Sequence, residues 1–166
     1  MDTIAILLFA AAVFAGFETP WEAYLALPTS ENATVVSEIA YTTPRQGGYD
    51  ADDLAILQTQ VAAADSESFR LAFRLYQSAD GGLAEELGTI LAGAIRSHPR
   101  FFLQQVVVLD RTCQPFKWAL NSPGLEYADR PDAAAYELSA RLASLNSVED
   151  RELASVRANC VRLLAP

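Results

Sequence analysis

The chain has 166 residues, 51% of them apolar and 20% charged, a composition that excludes a disordered or collagen-like polymer. That length suits one domain with its own core. Twenty-one acidic residues against 12 basic ones give a formal charge of −9, and all the bases but Lys117 are arginine. Such a surface repels phosphate backbones and no basic stripe runs along the sequence, so nucleic acid is excluded as a partner while a basic protein is permitted.

The opening stretch, IAILLFAAAVFA from Ile4 to Ala15, holds no charge, polar group or proline. Twelve helical residues rise about 18 Å, short of a hydrocarbon core of about 30 Å, so a spanning anchor is not expected. Val13 and Ala15 stand at the −3 and −1 positions of a cut before Gly16, which reads as a secretory leader over residues 1–15, although Asp2 occupies the place of the usual base. The competing reading is a buried first helix or a retained anchor. With the leader removed, residues 16–166 form a single all-α domain with no stable membrane span, exported to the periplasm or the exterior.

The segment FETPWEAYLALP, Phe17 to Pro28, reads as an arm weighted by Trp21 and Tyr24. A helix is expected from Ser30 to Tyr41, with Ser30 as cap and Val35, Val36 and Ile39 on one side. Within it Asn32-Ala33-Thr34 matches the N-glycosylation acceptor pattern in a segment expected to be exposed. TTPRQGGYDADD is loop, because Pro44 and Gly47-Gly48 break regular structure.

Helices then follow at Asp50 to Ala64, with Leu54, Leu57 and Val61 in phase, and from a cap at Asp65 or Ser66 through Phe69, Phe73 and Tyr76. Gly81-Gly82 ends that pair. Leu83 to Ser97 and Arg100 to Leu109 make the next two, separated by His98-Pro99. A shift of 33 residues lays Leu54 on Leu87, Leu57 on Ile90, Phe69 on Phe102 and Phe73 on Val106. The fold expected is therefore all-α, built of antiparallel helical hairpins, either a short HEAT- or TPR-like stack or an irregular bundle. A helix starting near Pro131 holds Leu138, Leu142 and Leu145, Ser147 with Asp150 resembles a capping box, and a last helix aligns Leu153, Val156, Cys160, Leu163 and Leu164.

Between these pairs lies RTCQPFKWALNSPGLEYADRP, 21 residues where compact domains seldom leave more than about 12–15 unstructured without a purpose. It carries Phe116, Lys117, Trp118 and Tyr127, residues of a kind suited to binding, and with Trp21 they are the candidate contact residues. The competing reading packs these rings down over the core. Cys113 in this loop and Cys160 in the last helix are the pair for one disulfide if the chain is exported. Such a bond would stabilise the fold by roughly 4 kcal/mol in the chain-entropy model, less any strain.

No nucleophile elbow, phosphate loop, dinucleotide fingerprint, zinc-protease helix or calcium loop is present, so no catalytic residue, metal ligand or cofactor is assigned. His98 suits a helix end. Asp50, Asp52, Asp53, Glu85 and Glu86 gather near helix starts, where the macrodipole alone accounts for acids. The function expected is an exported acidic helical module that binds another protein, in its narrower form an inhibitor or immunity-type protein that blocks a basic enzyme. The alternatives are a small envelope hydrolase using carboxylates with His98 assisting, or a structural subunit of an envelope complex.

Overall fold

A computed structural model of the protein describes residues 19–42 and 51–164, so the apolar opening stretch and the Gly47-Gly48 loop lie outside the described residues. Every regular element among the described residues is a helix. The chain divides into two compact units, 1–79 and 80–166.

The first unit contains α1 (Pro20–Ala26), α2 (Ser30–Thr42), α3 (Ala51–Ala62) and α4 (Ser66–Ser78). What reads as an arm is α1: Thr19 caps it, the Thr19 hydroxyl and the Glu22 carboxylate each accept the other residue's backbone N–H, and Pro20 opens the first turn. Helix α2 packs on α1 and α4, and α3 packs on α1 and α4. The interior is aromatic. Trp21, Tyr24, Phe69 and Phe73 are closed off from solvent with Leu57 and Val61, Trp21 meeting Tyr24 edge-on at 6.2 Å and Phe69 stacking on Phe73 at 6.0 Å.

The buried side of α2 runs through Asn32, Ala33 and Val36, while Val35 is half-buried. Asn32 corrects the expectation for its segment. It is 2% exposed, and its side-chain amide donates to the carbonyls of Ala23 and Leu27 at 3.3 and 2.9 Å, which closes the end of α1. An asparagine held this way offers no acceptor nitrogen to a glycosylating enzyme in the folded chain. The Tyr24 hydroxyl donates to Ser68 Oγ at 2.7 Å and the Ser68 hydroxyl donates to Gln60 Oε1 at 2.9 Å, so α1, α4 and α3 meet at one polar point inside the unit.

The second unit contains α5 (Gly81–Ser97), α6 (Pro99–Leu109), α7 (Lys117–Asn121), α8 (Pro131–Asn146) and α9 (Ala154–Leu164), with single 3-10 turns at Gln114–Phe116, Leu125–Tyr127 and Arg151–Leu153. Helix α5 packs against α6, α7 and α8, and α9 packs against α6, α7 and α8. The residues aligned by the 33-residue shift, Leu54, Leu57, Phe69 and Phe73 with Leu87, Ile90, Phe102 and Val106, are all buried, and the two hairpins that carry them fall in different units. Gly81 and Gly82 open α5 rather than ending α4. No helix among the described residues is long and apolar enough to cross a membrane.

Helix α8 buries Glu137, Arg141 and Leu145, whereas Leu138 and Leu142 of the expected stripe are half-buried. The capping box expected at Ser147 is absent: Ser147 ends α8 and its hydroxyl donates back to the Ser144 carbonyl, and Asp150 alone caps the turn that precedes α9.

Candidate functional site

The segment between α6 and α8 is short helices rather than open loop, because Pro115 fixes the first turn of Gln114–Phe116 and α7 follows directly. Three restraints hold it. Cys113 and Cys160 are joined by a disulfide across a Cα separation of 5.2 Å, tying the segment to α9 over 47 residues of sequence. Asn121 adds a second tie to α9, its side-chain amide donating to the Leu163 carbonyl at 2.8 Å.

Arg141 supplies the third. Its guanidinium donates to the carbonyls of Ala119, Leu120, Ser122 and Pro123 at 2.5 to 3.2 Å, collecting the unpaired carbonyls at the end of α7. Its Nε donates to Glu137 at 3.0 Å, and the other Glu137 oxygen accepts from Arg96 at 2.7 Å. Arg96 is held above its usual range by that hydrogen bond and then by the Glu137 charge. A guanidinium that is 2% exposed is tolerated because its donors and its charge are both matched.

The candidate contact residues separate on this frame. Phe116 is fully buried and meets Phe102 edge-on at 5.9 Å, and Trp21 is in the interior of the first unit, 1% exposed. Tyr127 is half-buried, with the Arg130 guanidinium over its ring at 5.6 Å. Lys117 is exposed at the start of α7. Trp118 is 40% exposed, and its ring lies on Gly88 of α5 so closely that a Cβ there would fall 2.1 Å from Cζ3. Glycine at 88 makes a seat for the indole: the Cε3–Cζ3 edge of the ring lies against the helix backbone while the residue stays 40% exposed. The seat itself had no signal in the sequence, since a glycine inside an amphipathic helix reads only as a weak position.

His98 stands between α5 and α6, its backbone N–H donating to the Ala94 carbonyl and its carbonyl accepting from Phe102. An open cleft of about 770 Å³ is lined there by His98, Arg100, Gln104, Ser147, Glu149 and Asp150. Arg100 and Asp150 pair at 3.0 Å across it, and Asp150 also accepts the Glu152 N–H. No cluster of three or more His, Cys, Asp or Glu among the described residues could hold a metal ion. The chain has no significant match among protein-family models, curated proteins or solved structures.

Proposed function

We propose that the protein is an exported protein-binding module whose contact surface centres on Trp118 and Lys117. The observation that carries this reading is a half-exposed indole seated on Gly88 in a segment held by a disulfide, an arginine clamp and Asn121. A large ring fixed before its partner arrives loses little conformational freedom on binding, which is what distinguishes energetic anchors from other surface residues. The disulfide supports export, since such bonds persist in oxidising compartments.

The test is a photo-crosslinking residue at Lys117, compared in the native host with the same residue at exposed Ser139 on α8. A discrete adduct from position 117, absent from position 139 and lost in Trp118→Ala, supports the reading. Equal adducts from both positions, or none, sink it. The cleft at His98 favours a second reading as a small hydrolase, because it gathers an imidazole with the Glu149 and Asp150 carboxylates. Any hydrolysis that survives separate His98→Ala and Glu149→Ala changes removes it.

A further inference from the structure

On the side of the second unit where α9 meets the turn after α6 and the start of α7, cations gather in a chain that is acidic as a whole, while Glu85 and Glu86 are exposed on α5 ahead of the Trp118 seat at Gly88. Residues 111–125 carry Arg111 and Lys117 and no acid, and residues 153–164 carry Arg157 and Arg162 and no acid, in a protein whose formal charge is −9. The fold brings these segments together. Asn159 Nδ2 donates to the Arg111 carbonyl at 3.0 Å, and its Oδ1 accepts from Arg162 at 2.8 Å. Asn121, one turn after Lys117 on α7, reaches the Leu163 carbonyl beside Arg162. Arg111, Lys117 and Arg162 are all exposed. Asp110, Glu126 and Glu152 bound these two segments, and the Asp110 carboxylate accepts from the Thr112 backbone and hydroxyl.

Arg111 itself stands where a glycine belongs. It follows the end of α6 at φ +61°, and its N–H donates back to the Val106 carbonyl, a helix-ending turn that glycine makes without strain. Cys113, two residues on, is also left-handed at φ +68°.

Building on the proposed binding role, we infer that this side of the second unit takes an acidic segment of another protein, with an apolar side chain of that segment covering Trp118. A carboxylate-bearing protein segment fits better than the other polyanions. Three cations displace few counterions from a nucleic acid, and the rest of the chain repels it. A lone indole whose ring edge already lies against Gly88 gives a bilayer no apolar helix face to absorb.

The experiment titrates the full-length, oxidised protein with a short peptide of glutamates around one leucine, following tryptophan emission. Trp21 is buried, so the response reports Trp118. Saturable binding with a blue shift is expected, weakening as salt rises. Combined Lys117→Glu and Arg162→Glu should weaken it about tenfold or more. Arg111→Gly is the decisive variant, because it should raise the unfolding midpoint while weakening peptide binding.

No saturation with the glutamate peptide overturns the inference. So does equal binding of a lysine peptide, or stronger binding of a single-stranded oligonucleotide or of anionic vesicles. A position-117 adduct with a partner whose crosslinked segment lacks acids overturns the inference and leaves the binding role standing, whereas absence of any adduct removes the role itself.

Discussion

The two units solve the same problem with different chemistry. The first closes around Trp21, Tyr24, Phe69 and Phe73 with neutral hydrogen bonds through Ser68 and buries no charged side chain among its described residues, and its sequence carries ten acids against three arginines. The second places a carboxylate and a guanidinium inside, adds a disulfide, and carries eleven acids against nine bases. The lesson is that the unit carrying the exposed indole is the one held by specific, geometry-demanding bonds. Apolar packing tolerates small shifts, but a clamp on four carbonyls and a covalent tie hold α7 in one place.

The largest way to break that contrast is Arg141→Ala, which leaves Glu137 without its buried partner and the α7 carbonyls unpaired. A loss of about 3–5 kcal/mol is expected, read by urea unfolding, with hydrogen exchange accelerating first in α7 and α8. Replacing Cys113 and Cys160 together by serine comes next, at about 2–4 kcal/mol, and the same exchange measurement should leave α1 to α4 unchanged. Loss of protection across all helices alike would show that the units do not differ in the way described.

Gly88→Ala pushes a methyl group into the Trp118 ring. It should cost about 1–3 kcal/mol and shift tryptophan emission to the red as the indole is lifted off α5. The smallest effect belongs to the first unit: Tyr24→Phe removes one neutral hydrogen bond, about 1 kcal/mol. The same phenol gives that unit its own pH dependence. Burial, the leading cause, pushes Tyr24 up to about 12 from 10.0, so its contribution is whole below pH 10 and is lost as pH rises through 12. Alkaline unfolding should therefore begin in α1, α3 and α4, read by hydrogen exchange across the alkaline range.

What could be read from the sequence follows from where the physics is local. The helices Ser66–Ser78, Gly81–Ser97 and Pro99–Leu109 announce themselves because apolar residues recur at helical spacing over three or more turns. Helix Pro20–Ala26 is too short for a period to show, though its Thr19 and Glu22 capping pair was there to be seen. In α8 the period misleads: Leu138 and Leu142 look like the core face, while Glu137 and Arg141 hold it, and a charge is read as core only once its partners are known. The disulfide is expected from two cysteines only on the reading that the chain is exported, and the structure joins Cys113 to Cys160. The seat at Gly88 has no such signal, nor has the cationic side, because Arg111 and Arg162 are 51 positions apart and it is the bond from Asn159 of α9 to the Arg111 carbonyl that brings their segments together.

The burial of Asn32 has a consequence for how the protein is made. In an expression host that attaches glycans during translocation, Asn32-Ala33-Thr34 is offered to the transferase only while α2 has not yet docked on α1. A sugar added there would stand where the amide must reach Ala23 and Leu27, so modification and closure exclude each other. The fraction of chains carrying that sugar is thus a clock, timing how quickly the first unit shuts after it emerges.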